Sequence, residues 1–113
     1  MRKCTRHLLT DLPLHFLEKV QKAEFVGVDT ETISLTDKTM VGFSIAFDNE
    51  AYYIPVRDNI LPNMPIKMAQ GLLRAILDKC IVIFHNSGFD LPVLDKFGIN
   101  IYHTYSISVI GNT

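Results

Sequence analysis

Apolar residues recur at helical spacing in two segments of the chain. In residues 10–22 a capping-type threonine and an early proline precede an apolar stripe, and this pattern predicts an amphipathic helix. The stripe consists of Leu12, Phe16, Leu17 and Val20. A second amphipathic helix is predicted over Ile66–Lys79 for the same reason. Its apolar positions are Met68, Leu72, Leu73, Ile76 and Leu77.

Three segments rich in β-branched and aromatic residues predict strands, at residues 24–30, 39–47 and 51–56. The last two are separated by the tripeptide DNE, which favours a hairpin. Within the second strand large residues alternate with small ones. The large positions are Val41, Phe43, Ile45 and Phe47, and the small ones are Gly42, Ser44 and Ala46. Alternate strand residues point to opposite faces, so we expect a neighbouring group to pack closely on the small face.

The rest of the chain alternates between loops, helices and short strands. Residues 57–65 contain two prolines and two asparagines and predict a loop. The apolar run Ile81–Phe84 is typical of a strand that is buried on both faces. The elements predicted after it are a helix over residues 91–97 that ends at Gly98, a strand over 99–102 and the start of a helix over 104–110. This order of elements predicts an α/β sheet with flanking helices.

Composition limits the class of protein. The chain has 113 residues, 48% of them hydrophobic, and a formal charge of -1, which predicts one globular domain over residues 1–113. It has no apolar run long enough for a membrane span and no signal-peptide pattern, so we expect a cytoplasmic protein without a membrane partner. The near-neutral charge predicts that any contact with nucleic-acid phosphate is local. Cys4 and Cys80 are expected to be reduced thiols.

Two acids lie at the C-terminal end of the first predicted strand, in the stretch FVGVDTET. Asp29 and Glu31 are two residues apart, so both side chains leave the same face if the strand continues that far. Two carboxylates held close repel each other unless a cation compensates, and this favours a hard cation such as Mg²⁺. The alternative is that both are solvated acids where a strand leaves the sheet.

A second polar cluster follows the apolar run, in the stretch FHNSGFDLPVL. Asp90 stands near the start of the next helix, because Pro92 is best tolerated in a first turn. Asp90 is therefore either a ligand or a helix cap, and Asn86 is either a binding residue or a turn former. Both clusters lie beyond the C-terminal ends of apolar strands, where α/β sheets bind ligands. We expect Asp29, Glu31 and Asp90 to converge there.

Three ordered segments carry a resemblance to a known family. DTETISL after FVGV, then VGFSIAFDNEAYYIPV, then HNSGFDLPVLDKFGI resemble the 3'-5' exonuclease (proofreading) domain of family A DNA polymerases, the DNA polymerase I type. This family belongs to the DEDD exonucleases. The resemblance implies a ribonuclease H-like mixed sheet, with three antiparallel strands and then parallel strands, and flanking helices. It covers nearly the whole chain.

The resemblance also implies roles for individual residues. Asp29, Glu31 and Asp90 match the family's metal ligands for two Mg²⁺ or Mn²⁺ ions, with Asp90 in the motif Asn-x-x-aromatic-Asp that includes Phe89. The residues implied to contact the substrate are Thr32, Leu35 and Asn86, although Leu35 has core packing as an alternative. The implied reaction releases nucleoside 5'-monophosphates from the 3' end of single-stranded DNA by two-metal-ion hydrolysis.

The chain departs from the family at its third motif, Tyr- or His-x-x-x-Asp. No acidic residue follows Asp95, and His103 precedes Thr104 where the family commonly has Asp-Thr. His103 and His85 have a ligand role and an ordinary surface or core role as alternatives. The resemblance implies a domain incomplete at its C-terminus, with weak hydrolysis unless a further segment or a separate polymerase contributes. A non-catalytic nucleic-acid-binding remnant, or a nuclease that cuts duplexes internally, is the alternative, and the preference for DNA or RNA stays open.

Overall fold

The computed structural model describes residues 5–100 and the backbone of residues 107–109. Within these residues the chain forms six strands and three helices. In chain order they are β1 (Thr5–Leu8), α1 (Phe16–Gln21), β2 (Phe25–Thr32), β3 (Met40–Phe47), β4 (Glu50–Pro55), α2 (Ile66–Lys79), β5 (Ile81–Phe84), α3 (Ser87–Lys96) and β6 (Ile107–Val109). None of the helices described is long and apolar enough to cross a membrane.

All six strands form one mixed sheet in the order β1-β4-β3-β2-β5-β6. The strands β2, β3 and β4 are antiparallel neighbours. On one side β5 runs parallel to β2, and β6 runs parallel to β5. The prediction of three antiparallel strands followed by parallel strands is therefore confirmed.

The hairpin between β3 and β4 is also confirmed. Its two turn residues, Asp48 and Asn49, have positive φ angles of 54° and 63°, and Phe47 pairs with Glu50. Two consecutive residues with positive φ form a type I′ turn, whose twist matches that of the strands it joins. Asp and Asn are among the residues that tolerate this conformation best.

One face of the sheet carries the core. On β2 the residues Val26, Val28 and Thr30 are buried, and the apolar faces of α1, α2 and α3 contribute to the same buried cluster. The intervening residues Gly27 and Asp29 face the other side, where they are half-buried and exposed. Since strand residues alternate between faces, the sheet has a face covered by helices and a face that the described residues leave accessible. We call the latter the open face.

The predicted helix over residues 10–22 is wrong in its first half. The helix begins at Phe16, and the residue before it, His15, has a φ of 67°. A left-handed residue cannot continue a right-handed helix, so the chain makes a turn there instead. The strand β1 was not predicted, because its four side chains are all exposed and leave no alternating apolar pattern.

Predictions after β4 need three further corrections. The helix predicted to start at residue 91 begins at Ser87, and β5 is buried on one face only, since Ile81 and Ile83 are half-buried. The helix predicted over residues 104–110 is wrong at Ile107–Val109, which form β6 along the edge of β5. Isoleucine and valine favour strands when such an edge is available. Residues 99 and 100 are not in a strand, and the other residues of these two predicted elements lie outside the described chain.

Candidate active site

The strand β2 places the first two predicted site residues. It continues to Thr32, two residues past its predicted end, and Asp29 and Glu31 are exposed whereas Thr30 between them is buried. Across the sheet Asp29 pairs with Ser44 and Glu31 pairs with Gly42 on β3. The two carboxylates therefore leave the open face together, as their spacing predicts.

Asp90 belongs to the first turn of α3 and is fully buried. Its Oδ1 accepts a hydrogen bond from the backbone N–H of Thr30 at 3.1 Å and another from the Thr30 hydroxyl at 2.6 Å. Its Oδ2 is buried and has no hydrogen-bond partner among the described residues. Asn86 is the N-cap residue, and its side chain makes no capping bond. Asp90 therefore does more than serve the start of this helix, because its carboxyl also bonds to Thr30 of β2.

The electrostatics of Asp90 follow from this burial. Loss of hydration raises the pKa of Asp90, the hydrogen bonds from Thr30 oppose that rise, and the charge of Asp29 adds to it. Asp29 and Asp90 are thus close enough for their charges to interact. A cation beside them would stabilise both ionised carboxylates and give the free Oδ2 a partner.

Glu31 has a different neighbour on the open face. The ring of Tyr53 lies over Gly42, so that a Cβ built on Gly42 would be 2.7 Å and 2.8 Å from the ring atoms Cζ and Cε1 of Tyr53. Burial raises the pKa of Tyr53 to about 12, and the carboxylates of Glu31 and Asp58 contribute to the rise. Tyr53 was not among the predicted site residues, although the small face of β3 does predict a close neighbour.

The three acids are not grouped around a single point. Within residues 5–100, no three His, Cys, Asp or Glu side chains are arranged as a ready metal site. Carboxylate oxygens are nevertheless the donors that Mg²⁺ prefers, and the Oδ2 of Asp90 has no hydrogen-bond partner among the described residues. The chemistry of these donors therefore fits a hard cation.

The predicted substrate residues lie at the end of β2, in the loop after it and at the start of α3. Leu35 is 83% exposed, so core packing is wrong as its role. Thr32 donates its hydroxyl hydrogen bond to the carbonyl of Ser34 at 2.6 Å, and Asn86 is half-buried at the start of α3. Ile33 is 62% exposed in the same loop. Ile33 was not among the predicted substrate residues, but it is a second exposed apolar side chain beside Leu35 in this loop.

The predicted histidine sites have different outcomes. His85 is exposed and lines a groove of about 270 Å³ on the open face, together with Asp29 and Ser44. His103 lies outside the described residues.

Comparison of the sequence with known proteins identifies its family. The sequence model of a 3'-5' exonuclease family of the DNA polymerase A type matches residues 10–111. The chain is similar to DNA polymerase I of Borreliella burgdorferi, with 32% identity over 103 residues. That alignment covers 84% of this chain and 11% of the relative, so the chain spans a small part of the relative's length.

Solved structures show the same fold. The EXO domain of Aedes aegypti Nibbler has a TM-score of 0.68 at 13% identity, covering 96% of this chain and 55% of that one. The catalytic core of Trypanosoma brucei RRP6 has a TM-score of 0.64 at 13% identity, covering 94% and 29%. Escherichia coli RNase D has a TM-score of 0.61 at 18% identity, covering 96% and 27%. The fold is ribonuclease H-like. Together with the sequence match over most of its length, this shows that the chain belongs to the 3'-5' exonuclease family of the DNA polymerase A type.

Proposed function

We propose that this chain is a 3'-5' exonuclease domain that removes nucleoside 5'-monophosphates from DNA 3' ends. The observation that carries the proposal is the pair of hydrogen bonds between Asp90 and Thr30. Thr30 stands between Asp29 and Glu31, so these bonds hold the acid of the second motif against the strand that bears the first. Asp90 is therefore tied to the strand that carries Asp29 and Glu31, although the two segments are distant in sequence.

Asp29, Glu31 and Asp90 are the residues that would hold Mg²⁺ or Mn²⁺. When bound, two such ions supply an activated water and stabilise the leaving oxygen of the phosphodiester. Thr30 keeps Asp90 in place for this role through the bond at 2.6 Å. Since the cations neutralise phosphate charge, a chain of formal charge -1 is able to bind a strand end.

The residues around the acids would bind the strand. The exposed Leu35 packs against the terminal base, and Thr32 and Asn86 form hydrogen bonds to the terminal nucleotides. DNA is proposed as the substrate because the curated relative is a DNA polymerase. RNA is tested in parallel, since RNase D among the structural neighbours is an exoribonuclease.

A second candidate function is strand-end binding without hydrolysis. It is favoured by the absence of any acidic residue after Asp95 in the sequence, and by the lack of a ready three-acid group in residues 5–100. With one ligand fewer than the family uses, an attacking water would be poorly positioned. Full activity would then need a fourth carboxylate from a further segment or a partner polymerase.

A hydrolysis assay on single-stranded DNA and RNA radiolabelled in the 3'-terminal nucleotide separates these functions. We expect release of mononucleotides from the 3' end with Mg²⁺ or Mn²⁺, none with EDTA, and a rate at least about 100-fold lower in Asp29→Ala. Asp95→Ala is the matched control, because Asp95 is an exposed acid near the end of α3. Binding without cleavage would support the second function. Unchanged release by Asp29→Ala would remove the assigned site, and mid-length fragments would indicate an endonuclease.

A further inference from the structure

In the loop between β2 and β3, the side chain of Lys38 contacts both the loop backbone and α3. The Nζ of Lys38 donates a hydrogen bond to the carbonyl oxygen of Leu35 at 3.0 Å. The same Nζ lies 4.0 Å from the centroid of the Phe89 ring. Phe89 directly precedes Asp90 in α3. Lys38 therefore connects the backbone of Leu35 to the helix that carries the buried acid.

The loop itself is closed by short-range hydrogen bonds. The N–H of Ile33 donates to the carbonyl of Thr39 at 3.2 Å. The N–H of Asp37 donates to the hydroxyl oxygen of Ser34 at 3.0 Å, and the N–H of Thr39 donates to Asp37 Oδ1 at 2.9 Å. These bonds fix the shape of the loop and leave its placement relative to α3 to other contacts.

Two contacts join the loop to α3, and they differ in strength. Lys96 lies 3.5 Å from Asp37, but both side chains are about half exposed, and exposed ion pairs contribute little. Lys38 and Phe89 are half-buried, and a cation over an aromatic face is stronger when it is partly removed from water. Lys38 is therefore the contact that sets where Leu35 lies.

We propose that Lys38 is a positioning residue that fixes the exposed Leu35 relative to Phe89, the residue before Asp90. Leu35 would then meet the terminal base of a strand whose last phosphodiester lies at the acids. The inference rests on the proposed function. Leu35 is 83% exposed and has little side-chain packing to orient it, so its position depends on its backbone. Lys38 acts on that backbone through the carbonyl of Leu35, and Phe89 supplies the fixed point.

The test is strand binding by the full chain, with Ca²⁺ in place of Mg²⁺ and a single-stranded oligonucleotide that ends in 3' 2-aminopurine. We expect roughly three- to tenfold weaker binding for Lys38→Met and near wild-type binding for Lys38→Arg, which keeps both the donor and the cation. Leu35→Ala should weaken binding, and Lys38→Met should add little in the Leu35→Ala background, because both changes remove one interaction. The control Lys96→Met should change binding less than about twofold.

A second measurement follows the loop without any ligand. Amide hydrogen exchange at Asp37 and Thr39 should rise in Lys38→Met and return in Lys38→Arg. The positioning role would be overturned if Lys38→Met bound the strand as tightly as the wild type. It would also be overturned if the effects of Lys38→Met and Leu35→Ala were additive. Either result would leave the proposed function standing. Failure of the wild type to bind any strand would overturn both.

Discussion

The two oxygens of the Asp90 carboxylate have different environments. Oδ1 accepts two hydrogen bonds from Thr30, and the buried Oδ2 accepts none from the described residues. The first oxygen fixes the side chain, and we propose that the second is a metal ligand. Burying an ionised carboxylate with one unpartnered oxygen costs free energy. We expect a bound cation to offset that cost.

Asp90→Asn tests this assignment through stability in the absence of metal. The amide keeps an oxygen for the Thr30 bonds and removes the buried charge. Because the pKa of Asp90 is raised, the stability that it contributes is fully present below its ordinary value of 3.8 and is lost as the pH rises through the raised pKa. We therefore expect Asp90→Asn in EDTA to unfold at equal or higher urea concentration than wild type at pH 7, with a smaller difference near pH 4.

The same variant should lose at least about 100-fold in metal-dependent hydrolysis. Urea denaturation followed by circular dichroism, at both pH values, checks the stability half of the prediction. A variant destabilised equally at pH 7 and pH 4 would show that the ionised Asp90 carries no burial cost in the native protein.

In the strands β3 and β4, the small residue Gly42 leaves room for the ring of Tyr53. Gly42 pairs with Glu31, and the Tyr53 ring occupies the space over Gly42. Alanine in a strand usually stabilises relative to glycine, because it restricts the unfolded chain. At Gly42 the added Cβ would instead collide with the ring, so the contact decides the sign of the effect.

We predict that Gly42→Ala lowers the free energy of unfolding by about 1–3 kcal/mol, the usual cost of overpacking. The penalty should disappear in the Tyr53→Ala background, where the ring is absent. Gly71→Ala in α2 is the control, since a Cβ there meets nothing within 4 Å, and it should stabilise by about 0.5–1 kcal/mol. Thermal or urea unfolding measures all three. Equal effects of Gly42→Ala with and without Tyr53 would contradict the steric explanation.

Local patterns predicted the elements whose causes are local. The alternation on β3, the Asp48-Asn49 turn and the Asp29 and Glu31 spacing each depend on neighbours in sequence, and each was correct. The start of α3 was misplaced because Pro92 was assigned to a first turn. In the structure Pro92 lies further inside the helix. The carbonyl that it leaves without an N–H is that of Gly88, which is exposed and accessible to water.

Contacts between segments that are distant in sequence could not be predicted from local patterns. The bond from Thr30 to Asp90 spans 60 residues, and its geometry depends on how α3 packs on β2. The proximity of Tyr53 to Glu31 requires the register of three strands. The edge strand β1 has only exposed side chains. Its backbone pairing with β4 could therefore not be predicted from an apolar pattern in its own sequence.

At the scale of the whole molecule, the sheet is covered unequally. The helices pack on one face, while the open face includes Phe25 and Leu8, which are 51% and 48% exposed. The central strand β2 has hydrogen-bonded neighbours on both sides, β3 and β5. The candidate site therefore stands on an interior strand of the sheet rather than at its edge.

Hydrogen exchange should show that the interior strand β2 is locally more stable than the edge strand β1. We predict that the backbone amides in the centre of β2 exchange near the rate of global unfolding, and that those of β1 exchange about 100-fold faster or more, since β1 pairs only with β4 and buries no side chain. Exchange measured by nuclear magnetic resonance at pH 7 checks the order. Equal protection of β1 and β2 would mean that the edge strand unfolds only with the whole sheet.

We propose that Asp29, Glu31 and Asp90 hold divalent cations at the end of β2. Titration of Mn²⁺ followed by electron paramagnetic resonance tests this proposal without relying on turnover. The wild type should bind Mn²⁺, and Asp29→Asn and Asp90→Asn should bind it at least about tenfold more weakly. Asp95→Asn should bind it as the wild type does. Equal Mn²⁺ affinity in the wild type, Asp29→Asn and Asp90→Asn would show that these carboxylates hold no cation.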